Sequence, residues 1–135
     1  PSQEEERSLM IRAVSVPGAP KPVGPNSPAI VHGGLVYASG QIGLDPQTGL
    51  PAEGGIEAQT RRALESLRGV VEAAGSSMSR ALKATVYLKS MEDFARMNGV
   101  YAEFFPQTPP ARTTIQIGAL PKDALVEIDL IAALP

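Results

Sequence analysis

A single long run of helical period, Ile56 to Ala74, dictates most of what this chain can become. Ile56, Ala63, Leu67, Val70 and Ala74 fall on one side of it, widened by Leu64 and Val71, and Gly75 closes it. Arg61, Arg62, Glu65, Arg68 and Glu72 favour the wet side. A shorter run follows: Ser90 and Asp93 have capping-box spacing, and Phe94, Met97, Tyr101 and Phe104 form one stripe. Elsewhere the period is that of strands. Met10 to Val16 reads as a first strand, and Ala29-Ile30-Val31-His32 and Leu35 to Ser39 as a hairpin about Gly33-Gly34. Ala81 to Lys89 alternates with Leu82, Ala84, Val86 and Leu88 on one face; Arg112 to Ile117 and Leu125 to Ala133 are the last two strands.

The order is therefore β-β-β-α-β-α-β-β. Two amphipathic helices must cover one face of a single mixed β-sheet, which gives a two-layer α+β fold with two similar halves. The other face of the sheet still needs cover, and the simplest cover is another copy of the chain, so a closed oligomer is expected. Residues 1–9 read as a flexible polar tail and 10–135 as one domain, since 135 residues leave no room for a second independent core. Pro17 to Pro28 carries five prolines and two glycines, so it is neither helix nor central strand.

Composition excludes several functions. A net charge of -2 with no basic run argues against nucleic acid, and three Tyr, three Phe and no Trp make a poor stacking platform for bases. The absence of cysteine removes thiol nucleophiles, disulfides and cysteine metal sites. His32 is the one histidine, and its place before Gly33-Gly34 marks a turn residue. The acidic start Pro1-Ser2-Gln3-Glu4-Glu5-Glu6 is unlike a signal peptide, and no segment approaches membrane-spanning length, which points to a soluble cytoplasmic protein.

Two late residues carry the chemistry. Arg112 follows the rigid run Pro109-Pro110-Ala111, and a guanidinium can grip a carboxylate in two-toothed fashion. Glu127 lies in the apolar stretch Leu125-Val126-Glu127-Ile128-Asp129-Leu130-Ile131, where partial burial raises its proton affinity. Alternation puts Arg112, Thr114 and Gln116 on one face, and Glu127 with Asp129 on one face; the plainer reading is that both polar faces meet water. Asp129 is expected in a structural or interface pair. In Ala38-Ser39-Gly40-Gln41-Ile42-Gly43, two glycines are expected to break a strand and let a ligand approach the main chain. No nucleotide fingerprint, metal-ligand constellation or Ser-His-Asp set is present, so neither cofactor nor metal is expected.

These residues resemble the YjgF/Rid family, the reactive-intermediate enamine/imine deaminases, a family also labelled endoribonuclease L-PSP. The likeness rests on Gly24-Pro25-Asn26-Ser27, Tyr37 to Gly43, the set Phe94, Asn98, Tyr101, Phe104 and Phe105, then Pro110-Ala111-Arg112, Ala119-Leu120-Pro121 and Val126-Glu127-Ile128. It implies a chorismate-mutase-like fold and a homotrimer with ligand clefts between protomers. It further implies a small 2-imino acid, or its enamine tautomer, as substrate, with a 2-keto acid and ammonia as products. Arg112 would clamp the carboxylate and Glu127 would orient water and relay a proton. Asn26, Ser39, Gly40 and Asn98 would contact the substrate or shape the cleft. The guanidinium and the carboxylate, from separate strands, are expected to face one small cavity at a subunit boundary. Asn26 stands where deaminating members commonly carry Tyr, Pro28 where they carry Gln, Pro109 where an aromatic is often found, and Thr113 and Thr114 where many carry Cys. Asn26 motivates the alternative of a non-catalytic module that binds small carboxylates or serves a regulatory partner. Ribonuclease activity, a label some members have carried, is opposed by the acidic balance.

Overall fold

After a short helix in the segment expected to be a flexible tail, the helix-and-strand order is the one the periodicities demand. The computed structural model describes residues 1–19 and 24–135, so the middle of the proline-rich stretch lies outside the described residues. The strands are β1 (Arg12–Val14), β2 (Ala29–His32), β3 (Leu35–Ile42), β4 (Ala81–Leu88), β5 (Ala111–Gln116) and β6 (Val126–Ala133), with helices α1 (Gln3–Ser8), α2 (Gly55–Ala73) and α3 (Phe94–Phe104). Among the described residues the six strands form one mixed sheet in the order β1-β2-β3-β6-β4-β5. Only β4 and β5 run parallel, and α3 is the crossover between them.

Segment 1–9 contains α1, capped by a box in which Ser2 accepts from the Glu5 amide and Glu5 returns to the Ser2 amide. No residue of α1 is buried; its tie to the domain is the Gly33 amide donating to the Ser8 carbonyl at 2.7 Å. The β2–β3 turn uses Gly33 and Gly34 at φ 59° and 80°, the pair of positive values a two-residue hairpin requires. Ser90 does not close a capping box with Asp93. Its hydroxyl accepts from the Glu92 amide of a 3-10 turn, and the Asp93 carboxylate pairs with Arg96 instead.

Strand β6 sits between β3 and β4 and alternates strictly between buried and half-buried residues. Its buried set, Val126, Ile128, Leu130 and Ala132, meets Val36 and Ala38 of β3 and Ala84, Val86 and Leu88 of β4 under the helices. From α2 come Ile56, Ala63, Leu64, Leu67, Val70 and Val71, and from α3 Met97 and Tyr101. Full burial of one such aliphatic side chain contributes about 1.5–3 kcal/mol, so this layer dominates stability. Leu82, expected inside, is exposed because the β4–β6 register shifts between Ala81 and Lys83.

Two polar details fix how closely α2 lies on the sheet. Gln59 is buried, and its Oε1 accepts from the Leu125 amide at 2.8 Å, tying α2 to the start of β6. Gly43 lets the end of β3 pass under α2: a Cβ there would run into the Gln59 carbonyl oxygen. The approach to β6 is also held at Lys122 and Asp123, both left-handed at φ 56°. Lys122 Nζ donates to the Gly49 carbonyl at 2.7 Å, and Asp123 pairs with Lys89. No described helix is long and apolar enough to cross a membrane.

Gly43→Ala forces backbone against backbone and is expected to lower the unfolding free energy by about 1–3 kcal/mol in urea titration. Gly118→Ala, where a Cβ meets open space, is expected to change it by less than about 1 kcal/mol.

Candidate functional site

Pro109 and Pro110 lead the chain into β5, whose register places Arg112 beside Ala84 and Thr114 beside Val86. Residues side by side in a sheet share a face, so Arg112 and Thr114 point toward the helix layer at its rim. Against them α3 presents Phe94, Asn98 and Tyr101, spaced i, i+4 and i+7. The guanidinium carbon of Arg112 lies 5.6 Å from the Phe94 ring centre and 4.8 Å from that of Tyr101. These cation–π contacts restrain the guanidinium without using its five N–H donors. Among the described residues the Arg112 guanidinium forms no hydrogen bond or ion pair.

Three more polar groups on these elements lack partners. Asn98 Oδ1, the Tyr101 hydroxyl and Thr114 Oγ1 are buried with no hydrogen bond among the described residues. Each such group costs about 1–3 kcal/mol unless something outside the chain satisfies it. Burial raises the proton affinity of the Tyr101 phenol, and the nearby Arg112 charge opposes that only in part, so the hydroxyl stays a neutral donor. Gln116, third on this face, is engaged: its Oε1 accepts from the Met91 amide at 2.8 Å.

Glu127 lies elsewhere. It stands beside Ile42 of β3 and Tyr87 of β4, on the sheet face that no helix covers. The β3–β6 register shifts between Ala38 and Gln41, so Ser39 and Gly40 form a bulge rather than the strand break the sequence suggested. The bulge admits the carboxylate: a Cβ on Gly40 would come within 2.6 Å of Glu127 Oε2. Ser39 Oγ donates to the Ser27 carbonyl at 2.6 Å, which draws the loop carrying the exposed Asn26 to the same end of the sheet. Burial first, and the Asp129 charge second, raise the Glu127 carboxyl above its usual range.

The sequence-predicted residues thus fall into two groups. Arg112 and Asn98 share the helix-side rim, while Glu127, Gly40 and Ser39, with the Asn26 loop, share the open face. Within one chain Arg112 and Glu127 point to opposite sides of the sheet, with β4 between their strands, so a single protomer does not bring them to one cavity. The sequence stripe on α3 was read as core. Its Phe94 and Tyr101 are also the walls around Arg112, for which the signal was Asn98 interrupting an apolar stripe. Among the described residues no three His, Asp or Glu side chains could hold a metal ion.

The molecule is thus a two-layer α+β domain with an arginine that has no ion-pair partner at its rim and a glutamate of raised proton affinity on its open face. The family profile described as Endoribonuclease L-PSP matches residues 17–134, and the chain belongs to this family, the YjgF/RidA group. A RutC family protein of Pyrococcus horikoshii is 48% identical over 123 residues, 91% of this chain and 98% of that protein. A 2-iminobutanoate/2-iminopropanoate deaminase of Dermatophagoides farinae is 40% identical over 123 residues, 91% and 96% of the two chains. The crystal structure of E. coli TdcF with bound serine superimposes with a TM-score of 0.85 at 35% identity, covering 92% of this chain and 99% of that one.

The state of Glu127 has a measurable consequence. Because its folded-state proton affinity is raised, the native state binds more protons than the unfolded one above the ordinary glutamate range, and stability falls as pH rises through that window. Glu127→Gln has no such charge. Its melting temperature relative to the parent's is expected to climb from pH 4 upward and level off above the Glu127 titration. A constant difference across that range would show that the carboxyl is not perturbed.

Proposed function

We propose that the protein hydrolyses small 2-imino acids to 2-keto acids and ammonia, in a cleft shared by two protomers. One protomer supplies Arg112 with Asn98, Tyr101 and Thr114; its neighbour supplies Glu127 with Gly40, Ser39 and the Asn26 loop. The observation that carries this reading is the unpaired Arg112 guanidinium, held against two rings of α3, on elements that also carry unsatisfied buried polar atoms. Such a group is built for a carboxylate from outside the chain. The bare sheet face supports the sharing, since Tyr37 is 42% and Ile115 41% exposed there with no covering helix. A closed homotrimer is the assembly that the family likeness implies and that would cover this face.

In that cleft the substrate carboxylate pairs with Arg112, leaving the imine carbon toward the neighbour's Glu127. The ionised Glu127 accepts a proton from water as the new C–O bond forms. It passes that proton to the imine nitrogen, giving the carbinolamine, and then moves the hydroxyl proton to the amino nitrogen as the C=O bond forms, the C–N bond breaks and ammonia leaves. One water is consumed and no net proton is required beyond those exchanged. A raised proton affinity suits a group that must both take and give, and the positioned water contributes through proximity. The family likeness to a 2-iminobutanoate/2-iminopropanoate deaminase at 40% identity supports the substrate class.

The test uses freshly generated 2-iminopropanoate and ammonia release. Arg112→Ala removes a two-toothed, charge-assisted grip and is expected to lower kcat/KM about 100-fold or more. Glu127→Gln is expected to lower kcat. When the two variants are co-assembled at equal amounts, random mixing restores both residues at about a quarter of the clefts, and activity returns to that level. Two inactive proteins that stay inactive after mixing would rule out the shared cleft.

A further inference from the structure

Beyond Arg112 and Glu127, the open face carries a polar pair with no part in the reaction described above. Asp129 follows Glu127 by two residues on β6, so the two carboxylates share a face about 7 Å apart along the strand. Tyr87 lies beside Glu127 in the β4–β6 register, and its hydroxyl reaches along the strand to donate to Asp129 Oδ2 at 3.1 Å. That bond fixes Asp129 in place on the side of Glu127 away from the β6 entrance.

The other ionisable groups on this face are too distant or already engaged. Lys83 on β4 stands opposite Ile131, four residues along β6 from Glu127, and its Nζ donates to Thr113 Oγ1 at 2.7 Å. Lys89, just past β4, is paired with Asp123. Tyr37 on β3 stands opposite Ile131, and His32 lies on β2, beyond β3. Strand β5 adds only Ala111, Thr113 and Ile115 to this side, none of them ionisable. Within one protomer, Asp129 is therefore the one fixed charge near Glu127 among the described residues.

We propose that Asp129, braced by the Tyr87 hydroxyl, is a positioning residue for Glu127, its fixed negative charge keeping Glu127 ready to carry a proton rather than settle as a permanent anion. Like charges on one strand face oppose each other's ionisation, and the effect is strongest where water is partly excluded. Burial of Glu127 acts in the same direction and is the larger cause. Asp129 thus adds to a state that the sheet already favours. What this does for turnover rests on the reading of Glu127 as the proton carrier, but the electrostatic claim stands apart from it.

The two are tested separately. In the full-length protein labelled with carbon-13 glutamate, the Glu127 carboxyl signal is assigned by its loss in Glu127→Gln and followed through a pH titration. Asp129→Asn and Asp129→Ser both remove the charge while keeping an acceptor for Tyr87. In each, the Glu127 midpoint is expected to move to lower pH and to remain above that of an exposed glutamate, because burial persists. A midpoint equal to the parent's in both variants overturns the proposal. In the kinetics, the limb of the kcat profile governed by Glu127 is expected to move with the midpoint. A midpoint that moves under a stationary limb upholds the role of Asp129 and rejects Glu127 as the proton carrier.

Discussion

Strand β6 lies in the middle of the sheet, hydrogen-bonded to β3 on one side and β4 on the other, and its alternation partitions the molecule. Val126, Ile128, Leu130 and Ala132 go to the helices; Glu127, Asp129 and Ile131 go to the bare face. A slip of one residue would drive two carboxylates under α2 and expose four core side chains. Burying an unpaired carboxylate costs several kcal/mol, so the register is fixed by the same effect that builds the core. Where Glu127 points is consequently not a separate design problem. It follows from the packing of its neighbours.

The rim explains Arg112 in the same way. Strand β5 is an outer strand, paired only with β4, and its helix-side residues sit where the helical layer ends. A charged side chain can face the helices there because its head reaches the border while its stem packs inward. The rings of Phe94 and Tyr101 replace the ion pair that would otherwise be needed. They restrict the guanidinium without using its donors. An aspartate in their place would bind Arg112 more tightly and occupy those donors.

Much of this was legible in the chain. Period alone separates the α2 and α3 faces from the strands, and Gly33-Gly34 marks the hairpin. Arg112 and Glu127 stand out as charges in ordered, apolar surroundings. What periodicity could not give was relative orientation. Each strand's two faces were known, but which face met the helices depended on the parallel β4–β5 register, a contact between segments far apart in sequence. The polar side of β5 proved to be the helix side, the reverse of what an edge strand with Thr113, Ile115 and Ile117 suggests. The bulge at Ser39-Gly40 was hidden for a similar reason: glycine marks both breaks and bulges, and only the partner strand decides between them. Leu82 was misplaced by a register shift that has no signature in composition.

The separation of the two charges within a chain is itself favourable to chemistry. Were Arg112 and Glu127 side by side in one protomer, they would pair; the carboxyl would then lose proton affinity and the guanidinium would lose its free donors. On opposite faces each keeps the property the proposed reaction needs. Arg112 remains without a counter-ion, and Glu127 is raised by burial and by Asp129. In the proposed cleft the two meet only across a gap that a small acid fills. The substrate's own carboxylate then satisfies the cation, which leaves Glu127 free to exchange a proton with water and nitrogen. Opposed faces of a single sheet are thus a means of keeping complementary charges apart until an anion from solution comes between them.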